Sequence, residues 1–184
     1  AAGFASNAQN NDFALTRVNS DGTLDTTFNG TGKVTTPILA SDDSANAVAI
    51  QPDGKIVAAG TALTGSNTDY AIARYNTDGS LDTTFNGTGK VVLSIFPGDD
   101  VATAVAIQSD NKIVVVGYSV GGGQTNYNIV RYNTNGTLDT SFSADGIFTV
   151  GISAANDYAR AVTLQTDGKI VVAGSAYNGT NNDF

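Results

Sequence analysis

Apolar and polar residues alternate along this chain in short runs, and nowhere at helical spacing. Typical runs are "ANAVAIQ" (45–51), "KIVAAG" (55–60), "DYAIARY" (69–75) and "GKVVLSI" (89–95). Each is the length of a strand and too short for a helix. Turn phrases stand between them. "QPDGK" (51–55), "QSDNK" (108–112) and "QTDGK" (165–169) each join two apolar runs. Asp-Gly in that position is a strong hairpin cue, because Gly takes the positive φ that a tight turn needs. The pattern predicts an all-β chain.

The runs recur at a fixed period. "NSDGTLDTTFNGTGKV" (19–34), "NTDGSLDTTFNGTGKV" (76–91) and "NTNGTLDTSFSADGIF" (133–148) are each 57 residues apart. No gap is needed to align them. Cut at Asp12, Asp69 and Asn126, the chain divides into the end of one repeat (1–11) and three repeats (12–68, 69–125 and 126–182). The start of a further one (183–184) follows. "AAGFASNAQNNDF" at 1–13 aligns with "VAGSAYNGTNNDF" at 172–184, so both ends lie in the same phase of the repeat. A period of this size means a solenoid, a propeller or an array.

Four strand-like runs per period fit one antiparallel propeller blade better than a sandwich domain, which needs about 100 residues. The small residues Ala45, Ala47 and Ala49, with Ala102, Ala104 and Ala106, and then Ala159 and Ala161, suit an inner strand crowded toward an axis. "KIVAAG" is apolar on both faces, as a strand between two neighbouring blades must be. "GKVTTPIL" carries Pro37 and suits an edge strand. The expected architecture is three four-stranded antiparallel repeats of a β-propeller, an incomplete propeller or part of a longer array.

The phrase "DG-x-L-D-x-x-F" followed by "A-V-A-I-Q-x-D-G-K-I-V-x-x-G" resembles the delta-60 repeat, a bacterial repeat family regarded as propeller-forming. The resemblance covers essentially the whole chain. It implies a propeller fold and an extracellular or cell-surface setting in a large secreted or surface-attached bacterial protein. It implies no assigned chemistry. The chain departs from the pattern at Asn111, opposite Gly54 and Gly168, and at Asn135, opposite Asp21 and Asp78. Asn tolerates the left-handed conformation, so the first departure is mild.

Composition narrows the function. The formal charge is −8, so binding of nucleic acid or of an anionic membrane surface is not expected, since both need clustered cations. No apolar run approaches the ~20 residues that cross a bilayer as a helix. The chain has no Cys, no His, no Glu and no Met. Disulfides and thiolate metal sites are thereby excluded, along with the commonest general base. All seventeen acids are Asp, a turn and cap former. Without a Met, the chain is expected to be a processed or excised segment of a longer product. The expected strand order opens it in the second half of one blade and closes it in the first half of another. Such halves join only within a longer parent or between chains, and two copies would give six blades. Further copies of the same repeat are the expected partners.

Three sets of residues are candidate sites. Asn19, Asp21 and Asp25, and Asn76, Asp78 and Asp82, put oxygens at alternate positions around a Gly, as calcium loops do. Arg74 stands where such a loop would start with an acid, so a turn capped by Asp is the favoured reading and no cofactor is expected. Asp42–Asp43, Asp99–Asp100 and Asn156–Asp157 precede the inner strand; they read as solvated loop acids, or else as a ring at a channel mouth. Arg17, Arg74 and Arg131 share a strand face with apolar residues and are expected to be partly buried. Asp25, Asp82 and Asp139 follow them by eight residues in every copy, and we expect each Arg to latch its Asp. Asp pairs that recur in each copy do not look catalytic, and no activated nucleophile is recognisable. The "NGT" triplets at Asn29, Asn86, Asn135 and Asn178 read as Asn-Gly turns. The expected function is a non-catalytic structural or adhesive array, the alternative a ligand-binding propeller with calcium or carbohydrate at loop sites.

Overall fold

The computed structural model describes all residues 1–184, which form strands and turns and no helix. The first sheet contains β1 (Ala2–Ser6), β2 (Asn11–Thr16) and β3 (Lys33–Thr36). The second contains β4 (Asp43–Ile50), β5 (Ile56–Thr64), β6 (Asn67–Tyr75) and β7 (Lys90–Leu93). The third repeats it with β8 (Asp100–Ile107), β9 (Ile113–Gly121), β10 (Gln124–Tyr132) and β11 (Ile147–Val150). The fourth contains β12 (Asp157–Leu164), β13 (Ile170–Tyr177) and β14 (Asn182–Asp183). All neighbours are antiparallel and follow chain order, as short hairpin connections dictate.

The expected three four-stranded units are therefore two four-stranded sheets flanked by two three-stranded ones. The sheet boundary falls between an outer strand and the next inner strand, whereas the 12–68 repeat begins at a third strand and straddles two sheets. The inner strands β4, β8 and β12 lie side by side, and the sheets stack face to face behind them as consecutive blades.

Alternation explains the stack. On β5, Val57 and Ala59 pack toward the third sheet with Tyr70, Ile72 and Phe85. Ile56, Ala58 and Ala62 pack toward the first with Phe13, Phe28 and Ile38. Successive side chains of a strand point to opposite faces, so a strand between two neighbours must be apolar at every position. The outer strands β3, β7 and β11 have four residues each. The first stops just before Pro37, which has no N–H to offer a ladder.

Each inner strand carries a bulge. The pairing of β4 with β5 shifts between Ala45 and Ala47, and Gly60 stands opposite Ala45. The bulge presses the Ser44 carbonyl onto Gly60, where a Cβ would lie 1.9 Å from it. Gly117 and Gly174 meet Val101 and Tyr158 in the same way. The bulged residues reach the next sheet: Asn46 Nδ2 donates to the Ala102 carbonyl and Thr103 Oγ1 to the Ala159 carbonyl, both at 2.9 Å.

Candidate functional site

The recurring phrase after each third strand folds as a compact loop. In the second sheet, Gly79 N–H donates to the Asn76 carbonyl at 3.0 Å, and Asn76 N–H to the Ser80 carbonyl at 2.8 Å. Gly79 takes φ +90°, open to it because it lacks a Cβ. Leu81 then bridges back to Tyr75, and Asp82 N–H donates to the Arg74 carbonyl at 2.9 Å. Two turns of backbone thus return Asp82 to the end of β6.

Each arginine meets its aspartate there. Nε of Arg17, Arg74 and Arg131 lies 2.7 Å from Oδ2 of Asp25, Asp82 and Asp139. The other carboxylate oxygen caps the loop: Asp82 Oδ1 accepts from the N–H and hydroxyl of Thr84 at 3.1 and 2.6 Å. Two further cations join, Lys55 to Asp82 at 2.8 Å and Lys112 to Asp139 at 2.9 Å. Burial pushes the Asp82 carboxyl up, but hydrogen bonds from Lys55 and Thr84, with the Arg74 charge, hold it well below the usual range. Hydrogen bonds from Ser141 and Lys112 do the same for Asp139.

The lysines were legible in the repeat but not singled out. "QPDGK" and "QSDNK" place them 27 residues before their aspartates in both copies. Nothing in a linear chain shows that this distance closes.

The loop also joins one sheet to the next. The Arg74 guanidinium lies over the Phe85 ring, 4.6 Å from its centroid, and its Nη1 donates to the Thr134 carbonyl in the turn after β10 of the third sheet. Phe85 is fully buried, and a Cβ on Gly136 would sit 2.9 Å from its ring. Asn86 N–H donates to the Asn135 carbonyl at 2.7 Å. Between the first and second sheets the same parts recur, with Arg17 on Thr77, Phe28 under Gly79, and Asn29 N–H on the Asp78 carbonyl at 2.6 Å. The Phe of the phrase thus anchors its loop in the core it shares with the neighbouring sheet.

The aspartates proposed for calcium are engaged within their turns. Asp21 Oδ1 accepts from the N–H and hydroxyl of Thr23, and Asp78 Oδ1 from those of Ser80. Asn19 and Asn76 turn their amide nitrogens, not their oxygens, onto Thr23 and Ser80. Asp25 and Asp82 are committed to their arginines.

In the pairs before the inner strands the first members, Asp42, Asp99 and Asn156, are exposed as loop residues, and the second members are not solvated. Asp43, Asp100 and Asp157 are buried. Asp43 Oδ2 accepts from Ile38 N–H at 2.7 Å and Leu39 N–H at 3.0 Å, and Asp100 and Asp157 hold the equivalent amides. Their partners Asp42, Asp99 and Asn156 accept from Asn11, Thr68 and Thr125 N–H at the hairpin tips. A crossover between sheets exposes amides with no ladder to join, and a buried carboxylate satisfies them. Burial pushes the Asp43 and Asp100 carboxyls up.

One cluster breaks the repeat. Tyr118 and Tyr158 stack edge to face with centroids 4.9 Å apart, and the Arg160 guanidinium lies 5.6 and 5.3 Å from their centroids. The equivalent positions hold Thr61 and Ser175, Ser44 and Val101, and Asn46 and Thr103. Each substitution is visible in an alignment of the copies. That three of them meet is a product of packing between β9 of the third sheet and β12 of the fourth.

No curated protein matches the chain. A family model described as "Domain of unknown function (DUF5122) beta-propeller" matches residues 1–28, 51–85, 108–142 and 165–184, well over half of the chain. The last three matches start 57 residues apart, each at the turn between an inner strand and the strand after it. Together with the stacked antiparallel sheets, these matches establish that the chain belongs to the DUF5122 β-propeller family.

Proposed function

We propose that this chain is a non-catalytic structural or adhesive repeat segment of an extracellular or cell-surface bacterial protein, and that its partners are further copies of the same repeat. The observation that carries the reading is how the recurring polar residues are spent. Arg74, Asp82, Lys55 and Thr84 satisfy one another, and Asp100 turns Oδ2 onto the Ile95 and Phe96 amides while its Oδ1 is buried out of reach of solvent. A catalytic or binding group keeps an atom free for its substrate. The hairpin ends that vary most, 61–68, 118–125 and 175–182, are rich in Gly, Ser, Asn and Thr. The setting outside the cell rests on the resemblance to secreted repeat proteins.

A second reading, a ligand-binding propeller, draws on Tyr118, Tyr158 and Arg160, where the copies diverge. Aromatic faces beside a guanidinium suit a carbohydrate. Thermal melting of the purified chain with calcium, with chelator and with a glycan panel separates the two. The structural reading expects no shift, since a ligand that binds only the folded state raises its melting temperature. A rise with calcium reversed by chelator, or saturable glycan binding abolished by Tyr118→Ala, overturns it.

A further inference from the structure

We infer that the second and third sheets enclose a binding site for one water molecule, formed by the Tyr70 and Ser119 hydroxyls and Oδ1 of Asp100.

Successive interfaces between the sheets are built from equivalent positions, and the middle one departs from the first. Between the first and second sheets, Phe13 lies against Ala62 and Ala71 in one apolar cluster. Between the second and third, Tyr70 stands at the Phe13 position, and Ser119 and Asn128 stand at those of Ala62 and Ala71. A hydroxyl gained on one sheet is thus answered by a hydroxyl and an amide gained on the next.

The stack brings these residues together. Val115 and Val130, paired in the third sheet, pack against Tyr70 and Ile72 of the second. Gly117 and Asn128 are the next pair on that face, and Ser119 follows two residues beyond Gly117. Tyr70 Oη lies 2.5 Å from where a Cβ on Gly117 would stand, so only a glycine leaves it room. Asp100 is the strand partner of Ser119 across β8 and β9.

Tyr70, Ser119 and Asp100 are each 0% exposed. Even so, Tyr70 Oη, Ser119 Oγ and Asp100 Oδ1 find no hydrogen-bond partner in the protein. Asp100 spends only Oδ2, on the Ile95 and Phe96 amides. Burial first, then the nearby Tyr132 and the Asp100 carboxylate, push the Tyr70 hydroxyl well above its ordinary range, which keeps it a donor. A buried polar group left unpaired loses its hydration without return. One water repairs all of these groups. It accepts from the two hydroxyls and donates to the carboxylate, and roughly three such bonds are what a buried water makes. A cation fits less well, because Asn128 Oδ1 is already taken by the Thr149 hydroxyl at 2.6 Å.

The other interfaces lack the parts. Asp157 Oδ1 accepts from the Ser153 hydroxyl at 2.7 Å, and Ala176 stands at the Ser119 position. Asp43 Oδ1 is buried and unpaired, but Phe13 and Ala62 bring it no hydroxyl to anchor a water.

A high-resolution crystal structure of the 184-residue chain tests the site. One peak is expected about 2.7–3.2 Å from each of the oxygens. It should vanish in Ser119→Ala and in Tyr70→Phe, which restore residues that other copies carry and so preserve the fold. Each variant should melt about 2–4 °C lower. The double variant should lose much less than the sum, because the first change already releases the water. Absence of the peak in the parent chain, with the hydroxyls bonded directly to protein groups, overturns the site. So do additive losses, or a peak ligated at about 2.3–2.6 Å, which is a cation.

Discussion

Asp25 and Asp82 occupy the same place in two copies of one phrase, and each lies 2.7 Å from its arginine. Their surroundings differ. The Arg74 and Asp82 side chains are 6% and 4% exposed, those of Arg17 and Asp25 33% and 21%. Asp82 has Lys55 as a second cation, and its loop lies on Phe28 of the first sheet through Gly79. The loop of Asp25 has no such neighbour. A nearly identical local sequence thus produces the same ion pair, but the energy of the pair depends on what covers it. A buried carboxylate stripped of partners cannot return to water, whereas an exposed pair trades its partner for solvent at little cost.

The sharpest break of the comparison comes from removing the carboxylates. Asp82→Ala strands a buried guanidinium and an ammonium, and is expected to cost about 3–5 kcal/mol. Asp25→Ala is expected to cost only a small fraction of that. Urea unfolding at neutral pH measures both. Arg74→Ala combined with Asp82→Ala should lose much less than the sum of the single changes, because once one member is gone the other has nothing left to contribute. Equal losses at 25 and 82, or strictly additive ones at 74 and 82, would show that covering is not what matters.

Gly60 and Gly3 extend the comparison to the backbone. They hold equivalent positions, and neither needs a positive φ. A Cβ at Gly60 lands 1.9 Å from the Ser44 carbonyl, while one at Gly3 meets nothing within 4 Å, since β1 has no inner neighbour. Gly60→Ala is therefore expected to destabilise by about 1–3 kcal/mol, the range for forcing atoms into a packed site, and Gly3→Ala to be nearly silent. Matching melting curves for the two variants would mean that the bulge yields to the methyl group.

The smallest expected effect is in the pH profile. Asp25, Asp82 and Asp139 have folded values below the ordinary 3.8. Their contribution is present above that value and is lost as pH falls through the depressed ones. Asp43 and Asp100 have raised folded values. Their contribution is complete below 3.8 and is lost as pH rises through the raised ones. Stability should hold or rise slightly on mild acidification and then fall steeply. Denaturation midpoints measured against pH in Asp82→Ala should show a flatter acid limb than in Asp25→Ala. An unchanged limb in Asp82→Ala would remove the loop carboxylates from the explanation.

Much of this was legible in the chain itself. The 57-residue period, the strand class, the apolar faces of β5 and the turn at Asp-Gly all follow from local pattern. So does the spacing of eight between Arg and Asp, because a tight loop can return a side chain over that distance. Asn111 takes φ +65° in place of Gly54, within the tolerance expected of Asn. Asp42 and Asp99 are exposed as loop acids should be, but Asp43 and Asp100 were misread because the crossover amides they hold come from loops with no signal of their own.

By itself, then, the sequence determined every contact that closes within one hairpin: the strands, the turns and the pairing of each Arg with its Asp. The tertiary structure decided everything that one copy asks of another. It set Lys55 on Asp82, Gly136 on Phe85, and Tyr158 against Tyr118. It also made Asp25 and Asp82 unequal although their phrases match. The reason is that burial is not carried by a residue but by its neighbours across the stack, and three near-identical copies have different neighbours at the ends of the row than in its middle.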